Sequence, residues 1–246
     1  MKKVILVTGG SRGIGAAVST MAAARGYAVA INYLRDDASA KALADWISAA
    51  GGVAWPVQAD VAVESEVIRM FGEVEARLGP LYGVVNNAGI TGRLGKFLAA
   101  DPQSIEQIFR TNVFGVMHCC RAAIRSFQRS GVAGVIVNVS SMAAVTGSPN
   151  EYVHYAASKS AVEAFTLGLA RELAAENIRV CAVAPGSTLT GIHAAAGEPD
   201  RPARVAPKIP LGRLATPEEV AEPIVWLLSD AASYMTGATV RCSGGL

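Results

Sequence analysis

Tyr155 and Lys159 stand four residues apart in the stretch Val153-His154-Tyr155-Ala156-Ala157-Ser158-Lys159. On a helix that spacing brings both side chains to one face, within reach of a common ligand. A phenol with an ordinary pKa near 10 is a poor proton relay at neutral pH. An ammonium beside it favours the phenolate and draws the group toward the working range, so the pair suits proton transfer to or from an oxygen. Tyr-x-x-x-Lys also occurs in helices with no such task, and its meaning therefore rests on what surrounds it. Tyr152 and His154 are read as lying off the helical face of Tyr155 and as having no chemical role. His118 reads as helix or interface filler, and His193 is the histidine to watch as a substrate contact.

A second group sits near the start of the chain, in Thr8-Gly9-Gly10-Ser11-Arg12-Gly13-Ile14-Gly15. The stretch falls where a first strand gives way to a first helix. Glycines there let the turn tighten and the backbone approach a pyrophosphate at the positive helix end. The spacing of Gly9, Gly13 and Gly15 is looser than G-x-G-x-x-G, and no Gly-Lys-Ser/Thr ending marks a nucleoside triphosphate loop. A bare structural turn is the competing reading. The second strand ends at Asn32-Tyr33 with no carboxylate for ribose hydroxyls, whereas Arg12 and Arg35 can clasp a 2'-phosphate. NADP(H) is thus favoured over NAD(H). Asp36 and Asp37, which follow, can face solvent or cap the next helix.

The elements that must hold these groups alternate along the chain. Short apolar strands are read at residues 3–7, 27–32, 53–59, 81–87, 134–140, 178–184 and 238–242. Helical patterns are read at 14–26, 37–50, 64–78, around 105–127, from near Tyr155, and at 217–228. Pro56 argues against full two-sided ladder bonding in the third strand. The alternation predicts an α/β doubly wound Rossmann fold, a seven-stranded parallel sheet with helices on both faces. The stretch from Pro185 to about Arg213 is longer than an ordinary connection and rich in Pro, Gly and Ala. Its part from about 187 to 213 is expected to form a substrate-covering lid on a single catalytic domain spanning 1–246.

Composition narrows the classes. Of 246 residues 51% are hydrophobic and 17% charged, which suits one well-filled soluble domain and excludes a disordered chain. A net charge of +2 from mixed signs builds no basic stripe for nucleic acid. The apolar run Val4-Ile5-Leu6-Val7 after Lys2-Lys3 imitates a signal peptide but stops at Gly9-Gly10, and no stretch is long enough for a membrane span. Cys119, Cys120, Cys181 and Cys242 lack metal-ligand spacing and read as reduced thiols. No metal site and a cytoplasmic location are expected.

Taken in order, "TGGSRGIG" at residues 8–15, "NNAG" at 86–89 and "YAASK" at 155–159 resemble the short-chain dehydrogenase/reductase family over essentially the whole chain. "SPNEYVHYAASK" and "GRLATPEEVA" are most similar to its 3-oxoacyl-carrier-protein reductase-like and sugar (glucose) dehydrogenase-like members. The resemblance implies a catalytic set of Asn112, Ser141, Tyr155 and Lys159. Ser141 assists at the substrate oxygen and Ser140 stays structural, Asn112 distorts its helix and helps hold a water that connects to Lys159, and Lys159 also reaches the nicotinamide ribose. For the cofactor it implies Gly9, Ser11, Arg12, Gly13, Ile14 and Gly15 in the turn, Asn32, Tyr33 and Arg35 after the second strand, and Asp60 and Val61 at the adenine. It adds Asn86, Asn87, Ala88 and Gly89 on the adenosine side, and Pro185, Gly186, Thr188 and Thr190 after the sixth strand. Thr188 stands where an aliphatic residue is commoner in the family. A homotetramer is implied too, and the apolar material of residues 222–230 and the closing strand is expected near the surface to support it. The expected activity is hydride transfer between NADP(H) and a small carbonyl or alcohol. The alternatives are a 3-oxoacyl thioester reductase and a non-catalytic dinucleotide-binding regulator.

Overall fold

The structure, a computed structural model, describes residues 2–246. Its elements run β1 Val4–Val7, α1 Gly13–Ala24, β2 Ala28–Tyr33, α2 Asp37–Ala49, β3 Val53–Gln58, α3 Glu64–Leu78, β4 Leu81–Asn86, α4 Pro102–Phe109 and α5 Gly115–Ser130. They continue with β5 Val135–Val139, α6 Ala143–Thr146, α7 Val153–Leu173, β6 Arg179–Pro185, α8 Ile192–Ala195, α9 Arg201–Val205, α10 Pro217–Leu228 and β7 Thr239–Cys242. The strands make one sheet in the order β3-β2-β1-β4-β5-β6-β7, every pairing parallel, as the alternation predicts. Parallel neighbours need crossovers, and these place helices on both faces.

The strands are apolar on both sides because both sides are covered. In β1, Val4 and Leu6 join Met70, Phe71, Phe127 and Val162 under α3, α5 and α7. Ile5 and Val7 join Ile31, Ile47, Ile224 and Leu228 under α1, α2 and α10. Burying each such side chain contributes about 1.5–3 kcal/mol relative to leaving it in water. Pro56 lies on β3, an edge strand opposite Ile31 of β2, where a missing N–H costs no second ladder.

Two departures from the sequence reading have local causes. The helix expected around 105–127 starts earlier, at Pro102, because the Asp101 carboxylate accepts hydrogen bonds from the N–H groups of Gln103 and Ser104. It is then interrupted by a wide π turn over Arg110–Phe114. The apolar residues of the 222–230 stretch are mostly core. Ile224, Val225, Leu227 and Leu228 are fully buried on α10, which packs on α1, and only Trp226 is 37% exposed.

Strand order reverses between β1 and β4, so the crossovers leaving them diverge and open a crevice at their C-terminal ends. The glycine turn follows β1 and the 87–89 segment follows β4. Ser140 and Ser141 follow β5, and Pro185 closes β6.

Candidate active site

Tyr155 and Lys159 lie one turn apart on α7, 8% and 4% exposed, with the lysine Nζ 5.8 Å from the phenol ring centre. Lys159 Nζ donates to the Val139 carbonyl at 2.7 Å, which fixes the amine at the end of β5. Burial lowers its pKa to about 8. Burial also raises the Tyr155 phenol well above its ordinary value, against the opposing hydrogen bond of Ser141 and the charge of Arg201. The sequence reading has the phenol drawn downward by the lysine together with the positive nicotinamide of an oxidised cofactor. In the protein by itself burial is the larger influence and raises it.

The two consecutive serines part company. Ser140 Oγ donates its one hydrogen to Glu163 Oε1 at 2.7 Å and lies 3.3 Å from the Lys159 carbonyl, which ties β5 to α7. Ser141 Oγ accepts from the Ala143 N–H at 3.1 Å and sits close enough to the Tyr155 phenol to oppose its upward shift. Asn112, fully buried in the π turn, clasps the Ile90 backbone: Oδ1 accepts from its N–H and Nδ2 donates to its carbonyl, both at 2.9 Å. Nδ2 also donates to Ser158 Oγ at 3.1 Å. A Cβ on Gly89 would come 3.3 Å from Asn112 Oδ1 and 3.4 Å from Lys159 Nζ, so glycine keeps a passage open between them.

At the glycine turn, Thr8 Oγ1 accepts from the N–H groups of Asn87 and Ala88 at 3.0 Å, and Asn87 Nδ2 donates to the carbonyls of Thr8 and Gly9 at 3.0 Å. These bonds knit the turn to the end of β4. Thr8, which the motif reading passed over, is the central acceptor; its place beside Gly9 was the only hint. Gly9 and Gly13 have φ of 58° and 52°, which glycine adopts without strain. Arg12 precedes α1 without a side-chain cap, and the helix has no acid in its first turn. The first N–H groups of α1 are therefore available to an anion.

Several expected contacts are engaged elsewhere. Asn32 is buried: its Oδ1 accepts from the Gly9 N–H at 3.2 Å and its Nδ2 donates to the Ala59 carbonyl at 3.1 Å, so it shapes the turn rather than facing a ribose. Tyr33 donates its hydroxyl to Asp37 at 2.6 Å. Asn86 is buried against Asn138, donating to its Oδ1 at 2.8 Å, and does not line the crevice. Arg12 and Arg35 are exposed. Asp36 caps α2 through the Ser39 N–H and also feels the Arg12 charge. Asp60 accepts from the Ala62 N–H at 2.9 Å, and Val61 is buried beside it. A groove of about 660 Å³ runs along α1 past Gly13, Thr20, Leu189, Thr190 and Glu218, and Tyr155 does not line it.

The 187–213 segment is pinned at its base, where Thr188 pairs with Ala215 and Leu189 N–H donates to the Ala215 carbonyl at 2.9 Å. Gly186 packs so close to Ser243 that a Cβ would lie 2.9 Å from its Cα. Within the segment His193 is buried and both ring nitrogens are occupied. Nε2 lies 2.9 Å from the Thr188 carbonyl and Nδ1 3.4 Å from Arg201, so the histidine is not free to meet a substrate. Tyr152, in contrast, does reach Tyr155: the two rings meet edge to face with centres 5.1 Å apart. A three-residue spacing makes neighbours on a helix, so the sequence reading errs in setting Tyr152 aside; it stands as the N-cap of α7, with φ −159° and ψ 65°.

The family model described as enoyl-(acyl carrier protein) reductase matches residues 9–246. The chain is 46% identical over 244 residues to the Escherichia coli oxidoreductase YgfF, covering 98% of this chain and 99% of that one. It is 37% identical over 246 residues to the Staphylococcus aureus 3-oxoacyl-[acyl-carrier-protein] reductase FabG, covering 100% and 98%. Among solved structures, a short-chain type dehydrogenase/reductase from Mycobacterium marinum superposes with a TM-score of 0.92 at 36% identity, over 98% of this chain and 94% of that one. With the parallel sheet, the glycine turn and the buried Tyr155–Lys159 pair, these likenesses establish that the chain belongs to the short-chain dehydrogenase/reductase family, nicotinamide-dinucleotide oxidoreductases of alcohol and carbonyl groups.

Proposed function

We propose that the protein transfers a hydride between NADP(H) and a small carbonyl or alcohol substrate, with Tyr155 as general acid and base. The observation that carries this reading is the seating of Tyr155, Ser141 and Lys159 together at the C-terminal ends of the strands, beside Gly89. The residues fit a dinucleotide. The uncapped N-terminus of α1 suits a pyrophosphate, a Cβ on Gly13 would lie 3.2 Å from Thr190 Cγ2 and so narrow the crevice, and Gly89 leaves clearance in front of Lys159. The dinucleotide, when bound, supplies or accepts the hydride. Lys159 binds its ribose, and Asp60, Asn87 and Ala88 serve the adenosine side.

In reduction, Ser141 holds the substrate oxygen and Tyr155 gives its proton to that oxygen as charge develops there. Burial keeps that proton on the phenol until it is needed. In oxidation the same oxygen takes the proton back, and the Lys159 ammonium stabilises the phenolate through space. Asn112 holds the Ile90 backbone and the passage at Gly89 open for a water between itself and Lys159. The 187–213 segment serves as the lid.

Preference for NADP(H) is supported by the exposed Arg12 and Arg35 and by the absence of an acid at Asn32 or Tyr33. With one ketone substrate, kcat/KM should be higher for NADPH than for NADH. Replacing both arginines should narrow the gap by weakening binding, at about 1.5–3 kcal/mol for each charged hydrogen bond lost. Equal or better use of NADH by the wild type would reject the preference. Tight dinucleotide binding without turnover over a panel of diketones, ketoesters and alcohols would instead favour the regulatory reading.

A 3-oxoacyl thioester is the second reading. The likeness to the Staphylococcus aureus enzyme favours it, as do Arg93 and Lys96, exposed cations on the loop that Gly95 ties to the Glu151 carbonyl at 2.7 Å. Both readings suit a homotetramer. Support comes from β7, an outer strand left half-buried with one edge unpaired, and from the exposed Trp226 and Tyr234 near it in sequence. Sedimentation at micromolar concentration should give a tetramer, and a monomer there would remove this part of the proposal.

A further inference from the structure

Beside Tyr155 lies a buried polar cluster made by residues that are far apart in sequence. Arg201, on α9, is 7% exposed. Its Nη2 donates to Glu151 Oε2 at 2.6 Å and to the Tyr152 hydroxyl at 2.9 Å, while Arg204 takes the other Glu151 oxygen at 2.9 Å. On its other side Nη1 stands 3.4 Å from His193 Nδ1. The Thr188 carbonyl can only accept, so the hydrogen of the neutral imidazole sits on Nε2, and Nδ1 is left to accept from the guanidinium. The Tyr152 ring, whose hydroxyl Arg201 grips, meets Tyr155 edge to face at 5.1 Å.

A connected path thus runs from the Thr188 backbone through His193, Arg201 and Tyr152 to the Tyr155 ring. An arginine is a costly way to fasten a segment. Apolar side chains of similar volume hold buried elements at least as well, and here Nε stays buried without a partner among the described residues. The cluster therefore has a task that packing alone does not explain.

We propose that Arg201 is a positioning residue for the reaction: seated on Glu151, it fixes the edge of Tyr152 against Tyr155 and couples that contact, through His193, to the backbone at Thr188. The inference rests on Tyr155 being the proton-transfer group. Seating of the 187–213 segment and placement of the phenol then become one event. Burial raises the Tyr155 pKa, and the same guanidinium opposes that rise.

The test compares Arg201→Gln, Arg201→Lys, Tyr152→Phe and the Arg201→Gln/Tyr152→Phe double variant in the reduction of 2,3-butanedione by NADPH, with dinucleotide affinity and Tm measured alongside. Arg201→Gln should lower kcat about tenfold to a hundredfold, the scale of a small misplacement of a reacting group, with a smaller change in KM and nearly unchanged dinucleotide affinity. Arg201→Lys keeps a charge for Glu151 but cannot reach Tyr152 and His193 together, so it should recover Tm and not kcat. Tyr152→Phe should lose part of the same kcat, and adding it to Arg201→Gln should cost nothing more, because both cut one path. Wild-type kcat in Arg201→Lys, or effects of Arg201→Gln and Tyr152→Phe that multiply, overturns the proposal. If Arg201→Gln does not fold, Arg201→Lys and Tyr152→Phe decide: reduced kcat in both upholds it and wild-type kcat in either overturns it. Failure of the underlying reading looks different, because Tyr155→Phe would then reduce the diketone as fast as the wild type.

Discussion

Tyr155→Phe is expected to cut turnover at least about a hundredfold, the scale of a lost general acid or base, with little change in Tm or dinucleotide affinity. The substitution keeps the ring, its edge contact with Tyr152 and its packing on Ala143 and Ala156. Ser141 Oγ keeps the Ala143 N–H when the phenol oxygen leaves, so the change orphans no buried group there. What disappears is the one oxygen that can both give and take a proton beside Ser141. Turnover by Tyr155→Phe equal to that of the wild type, in enzyme that still binds NADPH, would reduce the tyrosine to a packing aromatic.

Lys159→Met should lose turnover on a similar scale and also weaken dinucleotide binding, by about tenfold to a hundredfold if one charged hydrogen bond to the ribose is lost. A second signature separates Lys159 from an ordinary surface amine. Burial puts its pKa at about 8 in the fold, against 10.5 for the group in water. Between those values the unfolded chain retains a proton that the folded chain has released. The residue's contribution to stability is therefore flat below about pH 8 and rises as the pH climbs toward 10.5. Methionine has no such dependence. Tm of the wild type relative to Lys159→Met should accordingly shift in favour of the wild type between about pH 7 and about pH 10. A gap that does not move with pH would mean that the amine stays solvated.

The sheet was legible from strands such as Val4–Val7, apolar on every residue, because a strand buried on both faces has no polar alternation to hide it. Tyr155 and Lys159 were legible because both lie inside one regular helix, where spacing fixes direction. Tyr152, three residues earlier, is misjudged, because three-residue spacing also makes neighbours on a helix and the sequence reading weighs only the four-residue pair. The π turn at Asn112 escaped too. Arg110–Phe114 reads as ordinary helix, and the widening accompanies bonds to Ile90, a residue on another segment. Asn32 showed that a strand end lacked an acid without showing where its own side chain points. Arg201 lies about fifty residues from Glu151 and Tyr152, with no periodicity to connect them, so only the folded chain brings them together.

The pairing of Thr188 with Ala215 closes a long excursion at its neck, within reach of the sheet's edge. Closing a loop costs entropy that grows only with the logarithm of its length, about 0.6 kcal/mol for each doubling. Residues inserted at the exposed turn around Gly197, Pro199 and Asp200, which leaves Thr190, His193 and Arg201 in place, therefore change the excursion's contour at little expense to the glycine turn, Tyr155 or Lys159. The neck and the exposed turn beyond it make a natural place for grafting: one dinucleotide-handling frame that keeps His193 and Arg201 can carry foreign inserts of different length there while its stability stays nearly constant.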